Sequence, residues 1–186
     1  MEINWTLHRF SGGALAFDLA NTVVWRNDPD KQSDRFDYIQ NIAGFAAAAS
    51  LYRQNETGAG ELHAPRSSLE IKNLIILREA INGYFRPFVE TGCSEDRALA
   101  GLFAAAASVT EPTIVAETKN RIGKFAALSA MRLLDERSIS RTKICPNCDW
   151  LFLDKSKNQS RIWCDMAICG NRAKAKIYYS KNRSSQ

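Results

Sequence analysis

The chain has 186 residues, of which 45% are hydrophobic, so it can bury a substantial core over most of its length without help from a metal. No apolar run approaches the ~18 residues that suggest a membrane span, and the first residues lack the basic start and apolar run of a secretory signal, which leads us to expect a soluble protein of the reducing cytoplasm with no membrane partner. The net charge of +5 is unevenly divided, because residues 137–186 carry eleven Lys or Arg and three Asp, a net +8, whereas residues 1–136 carry a net −3.

Residues 1–136 predict a predominantly helical domain. An early helix holds polar residues at positions 18, 21 and 22, and a second covers about Tyr38 to Tyr52. Residues 54–65 contain Gly58 and Gly60 and predict an exposed loop.

A long helix is predicted to follow this loop. Ser67 and Glu70 have the spacing of a capping box, in which the serine oxygen accepts a bond from an N-terminal amide and the glutamate bonds back to the cap. Apolar residues then recur every three or four positions up to Phe88, and Pro87 is expected to kink or end the helix near its end.

Further helical signals complete this domain. Ser94 is a predicted N-cap, followed by acidic residues that complement the helix dipole. Thr110 to Ala116 predicts a short extended connection, and a last helix is predicted from about Lys119 to Glu136.

The early helix carries three polar residues that suggest two interpretations. Asp18, Asn21 and Thr22 are spaced i, i+3 and i+4 and are expected to share one helix edge. They are candidates for an effector pocket, together with Arg26; alternatively, they form a buried hydrogen-bond network that fixes the packing of this helix. The network is the simpler interpretation, because no phosphate loop or nucleophile-base pair accompanies them.

A domain boundary is predicted where the charge changes sign, with a short linker at about 137–141 and a second domain over 137–186. The linker has little slack, so the second domain is expected to dock on the first. Within it, residues 150–153 predict a strand, Arg161 to Trp163 a partner strand, and residues from about Asn171 a helix. Trp150 and Trp163 are expected to pack in this small core.

Four of the five cysteines lie in this second domain with the spacing C-x2-C-x15-C-x4-C. Cys145, Cys148, Cys164 and Cys169 thus form two pairs, as in a tetrahedral thiolate zinc site. Disulfides are the alternative, which a reducing compartment disfavours. Four thiolates close the coordination sphere, so we expect one structural Zn²⁺, no catalytic residues and no enzyme activity.

The second domain resembles a CGNR-type zinc finger. The resemblance rests on residues 145–154, on residues 161–166 and on the motif that begins at Cys169-Gly170-Asn171-Arg172. Ile162 departs from it, because the family often has a second arginine before the tryptophan. Residues 13–22 are similar to the start of the alanine-rich ABATE domain, which usually precedes that finger in bacteria.

These resemblances imply a mainly α protein in which a helical domain precedes a treble-clef-like unit of knuckle, hairpin and helix. They also imply a bacterial, stress-related transcription regulator that binds DNA. We predict that the nucleic acid is contacted by Arg172, Lys174, Lys176 and Arg183. Long cations of this kind contact phosphate oxygens, and an arginine can also bind a guanine in the major groove. The alternative is that these residues form a solvated helix face. An RNA-binding or protein-interaction finger and a small-molecule sensor in the helical domain are the alternatives.

Overall fold

A computed structural model describes residues 2–111 and 120–183, and the side chains of residues 181–183 are outside this description. Its described elements are mainly helical and agree with the predicted fold class. The helices are α1 Leu15–Ala20, α2 Ile39–Tyr52, α3 Gln54–Thr57, α4 Ser68–Thr91, α5 Asp96–Thr110, α6 Ile122–Arg132, α7 Glu136–Ser140 and α8 Asn171–Arg183. The strands are β1 Val23–Val24, β2 Ser33–Asp34, β3 Thr142–Ile144 and β4 Leu151–Leu153; a 3-10 helix spans Leu7–Phe10 and a π-helical turn Met166–Gly170.

Helix α4 begins at the predicted capping box. The Ser67 hydroxyl accepts a bond from the Glu70 amide, and the Glu70 carboxylate accepts one from the Ser67 amide. The helix does not end at Pro87, which lies inside it. It ends before Gly92, which has a φ of 80°, because glycine adopts the left-handed conformation of a helix C-cap without strain.

The core of the helical part surrounds α1. All six residues of α1 are buried, and Phe17 packs edge-to-face on Phe85 of α4 at 5.1 Å between ring centroids. Helix α4 packs on α5, whereas α1 and α5 both pack on α6. The short α1 is thus enclosed on several sides, which explains why its sequence is almost entirely apolar.

Several predicted boundaries shift. Helix α1 ends at Ala20, so Asn21 and Thr22 follow it and do not continue a helix edge with Asp18. Glu95, not Ser94, occupies the N-cap of α5. The last helix, predicted from about Lys119 to Glu136, is α6 over Ile122–Arg132, and Lys119 lies outside the described residues. A separate helix, α7, begins at Glu136, where the Asp135 carboxylate accepts a bond from the Ser138 amide.

Two predicted connections also differ. The loop predicted over residues 54–65 contains α3 and the buried Leu62, and His63 forms an isolated bridge with Arg121. The extended connection predicted from Thr110 to Ala116 begins at the last residue of α5 and, beyond Glu111, lies outside the described residues.

The C-terminal hairpin pairs β4 with a strand that the sequence did not indicate. β3 precedes the first cysteine pair and runs antiparallel to β4, with Thr142 opposite Leu153 and Ile144 opposite Leu151. Arg161 to Trp163, the predicted partner strand, forms no strand. The reason is that its backbone is used elsewhere, since the Arg161 amide donates to the Asp154 carboxylate and the Arg161 carbonyl accepts from Lys143.

The free edge of β4 rests on the helical part of the chain. The Asn21 side-chain amide donates to the Leu151 carbonyl at 2.8 Å and accepts from the Leu151 amide at 3.0 Å. The Leu153 amide donates to the Gly12 carbonyl at 2.8 Å. Leu151 is fully buried in the main core, so the hairpin and the helices share one core, as the expected docking requires.

Among the described residues, no helix combines the length and the apolar character needed to cross a membrane.

Candidate metal centre

The first cysteine pair lies in the tight turn between β3 and β4. The Cys145 amide bonds the Trp150 carbonyl at 2.9 Å, and the Asp149 amide bonds the Cys145 carbonyl at 2.8 Å. Asp149 closes this turn with a φ of 62°, in the left-handed region. The turn, which we call the knuckle (residues 145–149), points both sulfurs to one side.

The second pair flanks the start of the C-terminal helices. Cys164 precedes the π-helical turn and Cys169 lies in its last part, directly before α8. Asp165 caps this turn by accepting bonds from the amides of Ala167 and Ile168. Gly170 lies in close contact with the Met166 side chain, because a Cβ at this position would be 2.5 Å from the Met166 sulfur and the side chain would have to move.

The four thiols converge at one buried point. The Sγ atoms of Cys145, Cys148, Cys164 and Cys169 lie within 4.8 Å of one another, and no disulfide joins them. Cys148 and Cys164 are 3.5 Å apart, and Cys164 and Cys169 3.6 Å. A tetrahedral zinc with Zn–S bonds of about 2.3 Å requires sulfurs about 3.8 Å apart. The donor set therefore fits one structural Zn²⁺, and all four positions are filled by protein ligands.

Crowding perturbs the thiols. Hydrogen bonds from Cys148 and then Cys164 lower the pKa of Cys145, whereas the hydrogen bond to Cys145 raises the pKa of Cys148. Burial raises the pKa of Cys169. Zinc must displace the remaining thiol protons to bind, so its affinity falls as the pH decreases.

Residues 141–182 match the family model of the CGNR zinc finger. The match includes all four cysteines, the hairpin and most of α8. No curated protein and no solved structure matches the chain significantly. We call residues 141–183 the finger below.

A buried carboxylate holds together the loop between the two cysteine pairs. Asp154 accepts bonds from the amides of Ser156 and Arg161, each at 2.9 Å, and from the Lys143 ammonium at 2.8 Å. Burial opposes the charge of Asp154, but these bonds outweigh it and lower its pKa. Asp154 therefore caps the turn after β4.

Side chains from the helical part surround the knuckle. Trp150 is buried, as predicted; the His8 ring stacks on it with 5.5 Å between ring centroids, and the Arg35 guanidinium lies 4.9 Å from the centroid of the Trp150 ring. His8 also bonds Asp165 at 2.9 Å through Nδ1. Arg86 of α4 bonds the carboxylate and the carbonyl of Asp149. Several side chains that surround the metal centre without being ligands thus come from residues 1–136.

The predicted nucleic-acid contacts lie on α8, directly beyond Cys169. Arg172, Lys174 and Lys176 are exposed, and none takes part in an ion pair found among the described side chains. Arg172 and Lys176 are four residues apart and share a face, whereas Lys174 lies on another face. The side chain of Arg183 lies outside the described residues.

The predicted effector residues are directed to separate partners. Asp18 bonds the Arg53 guanidinium at 2.5 Å and the Gly12 amide at 3.0 Å, whereas Asn21 bonds Leu151. The Thr22 hydroxyl donates to the Leu19 carbonyl, and Arg26 binds Glu79. These contacts favour the hydrogen-bond network over the effector pocket, which stays a prediction.

Sequence reasoning missed Arg86, Arg35 and His8 as neighbours of the metal centre. For Arg86 a signal was available, because Arg78 and Arg86 interrupt the apolar face of α4, and an arginine on a buried face requires a partner. Nothing in the local sequence identified that partner as Asp149, which lies 63 residues further along the chain.

Proposed function

We propose that this protein is a cytoplasmic bacterial transcription regulator, not an enzyme, that binds duplex DNA through its zinc-stabilised finger. Within this proposal, residues 1–136 are an ABATE-like domain that senses a signal. The observation that carries the proposal is the position of α8, a helix fixed at its N-terminus by the metal centre and exposed along its described length.

The charge of α8 is complementary to a polyanion. Residues 171–183 contain five Lys or Arg and no Asp or Glu. A helix of 13 residues is about 20 Å long and fits the major groove, which is about 12 Å wide. Cations on opposite faces of such a helix can reach phosphates on both sides of the groove, and this is the arrangement of Lys174 relative to Arg172 and Lys176.

Not all cations of the finger are available for phosphates. Arg141 donates to the carbonyls of Asp154 and Ser156, Arg161 donates to the Cys164 carbonyl, and Lys143 is held by Asp154. Five others are exposed among the side chains described: Lys155, Lys157, Arg172, Lys174 and Lys176. Three of the ten Lys and Arg of the finger are therefore held within it, so a count of all its basic residues overstates the number of phosphate contacts.

These five cations set a minimum for the expected salt dependence, to which Lys181 and Arg183 add if they also contact phosphates. If all contact phosphates, the logarithm of affinity falls with the logarithm of salt at a slope of about −4.5, a loss of about 500-fold between 50 and 200 mM. Removing Lys174 and Lys176 together reduces the slope by about 1.8. An arginine that contacts a base contributes about 1 to 3 kcal/mol of discrimination between sites.

The test is fluorescence anisotropy with full-length, zinc-loaded protein on duplexes selected from a random library and on scrambled duplexes. Lys174→Ala with Lys176→Ala should weaken binding to all duplexes alike and flatten the salt dependence, whereas Arg172→Ala should reduce discrimination if Arg172 contacts a base. Lys72→Ala is the control, because Lys72 is an exposed lysine of α4 outside the finger; its salt slope should be that of the wild type. If the affinity for the duplexes changes neither with salt concentration nor in the double lysine variant, the proposal is contradicted.

A second candidate function is supported by exposed apolar side chains on the same helix. Ile177, Tyr178 and Tyr179 are 56%, 64% and 68% exposed. Such residues suit a protein partner, or stacking on unpaired RNA bases. Single-stranded RNA competitors in the same anisotropy assay, and Tyr178→Ser, distinguish this candidate, because phosphate contacts with duplex DNA do not require the tyrosine ring.

A further inference from the structure

Arg86 connects the long helix α4 to the knuckle of the metal centre. Its guanidinium donates to the Asp149 carbonyl at 2.6 Å and to the Asp149 carboxylate at 2.9 Å. Its Nε donates to Asn82 at 3.1 Å, and Glu90 lies 3.5 Å away on the same helix. Arg86 is buried, and these contacts within its own helix orient the guanidinium for its bonds to Asp149.

Asp149 is the residue on which the knuckle depends. It directly follows the ligand Cys148, and its amide bonds the carbonyl of the ligand Cys145. Its φ of 62° lies in the left-handed region, which costs an L-residue about 1 to 2 kcal/mol. Both acceptors that Arg86 binds, the carbonyl and the carboxylate, belong to this strained residue, so the bonds fix its backbone and its side chain together.

We propose that Arg86 is a positioning residue of the zinc site, which holds Asp149 in the left-handed conformation and thereby keeps Cys145 and Cys148 in ligand geometry. The helical domain then forms part of the metal centre and slows the release of zinc. Groups that orient metal ligands from outside contribute about 10- to 100-fold in metal affinity, which sets the expected effect. The inference does not depend on DNA binding, and its test contains no nucleic acid.

The test compares zinc release from zinc-loaded, full-length variants to a chromophoric chelator in excess. Arg86→Lys keeps the positive charge but has a single compact ammonium, which cannot match the two-pronged geometry of a guanidinium. We expect zinc release about tenfold faster than in the wild type, and up to about 100-fold faster in Arg86→Met.

Arg78→Lys is the matched control. Arg78 lies on the same helix, is equally buried, and binds the Asp34 carboxylate through two bonds of 2.7 Å. Its partners belong to the helical part, so Arg78→Lys should destabilise the fold and leave the zinc release rate within about twofold of the wild type. Equal acceleration by both variants would mean that a looser fold alone frees the metal, and would overturn the proposal.

Asp149→Gly provides a second, independent test. Glycine adopts the left-handed conformation without strain and lacks the carboxylate. In this background Arg86 therefore has no strained conformation to stabilise and one acceptor fewer to bind. Arg86→Lys should then accelerate zinc release at most about threefold. A full tenfold effect in the glycine background would show that Arg86 does not act through Asp149.

Cobalt(II) substitution reports on the ligand geometry itself. The visible bands of Co²⁺ bound to four thiolates should shift or weaken in Arg86→Lys and remain unchanged in Arg78→Lys. Wild-type spectra and release rates in both Arg86 variants would contradict the positioning role.

Discussion

The free edge of β4 offers the sharpest test of how the finger is attached. The Asn21 side chain makes two bonds to the Leu151 backbone, and Asn21 is 4% exposed. Asn21→Ala leaves a buried amide and a buried carbonyl without partners, each at about 1 to 3 kcal/mol. We therefore expect Asn21→Ala to reduce the free energy of unfolding by about 2 to 6 kcal/mol.

Urea denaturation of the zinc-loaded protein measures this loss, with far-UV circular dichroism and tryptophan fluorescence as probes. For an m value of about 2 kcal/mol/M, the midpoint should decrease by about 1 to 3 M. Asn21→Asp should be at least as damaging, because it places a carboxylate oxygen against the Leu151 carbonyl.

Asn27→Ala is the control, since Asn27 is exposed and such changes usually remain within about 0.5 kcal/mol. If Asn21→Ala matches this control, the edge of β4 finds other partners and our account of the attachment is wrong.

Three further predictions concern the core and the metal. Burial raises the pKa of Asp18 to about 6, above its unfolded value of about 3.9, so the folded state binds the proton more tightly. Relative to Asp18→Asn, the wild type should therefore gain about 1 kcal/mol of stability as the pH decreases from 7 to 5, and a constant difference in urea titrations contradicts this. Gly13 has a φ of 78°, and a Cβ added to it would lie 3.0 Å from the Leu153 carbonyl oxygen, so Gly13→Ala should lower the melting temperature. Gly83→Ala, at a helical position with open space, should instead raise the free energy of unfolding by about 0.5 to 1 kcal/mol, and the opposite order would refute the steric argument. Cys148→Ser should contain no zinc by elemental analysis and, because the finger shares the main core, should also melt at a lower temperature; unchanged zinc content would refute the ligand assignment.

The last of these predictions differs from what the sequence suggests. A boundary at about residue 137 implies a helical core that is independent of the metal. In the structure, Leu151 of β4 is buried in that core, and Ile144 of β3 packs against it. Loss of zinc should therefore also destabilise the helices, because the hairpin connects the metal centre to their core.

The sequence by itself determined those features whose signals lie close together in the chain. The capping box uses residues three apart, α2 was located to within one residue, and the cysteine spacing identified all four ligands. Each depends on short-range geometry, which the identity and spacing of neighbouring residues largely fix.

Only the tertiary structure decided how these elements meet. The bond between Asn21 and Leu151 spans 130 residues, and that between Arg86 and Asp149 spans 63. Strand β4 pairs with β3 and not with residues 161–163, because Asp154 binds the Arg161 amide and so determines the path of the loop between them. Polar side chains such as Asn21 and Arg86 can satisfy many partners, so their chemistry requires a buried partner without specifying which one. Packing selects it, because burial removes water as a competitor and leaves each group only the acceptors and donors that the fold brings within reach.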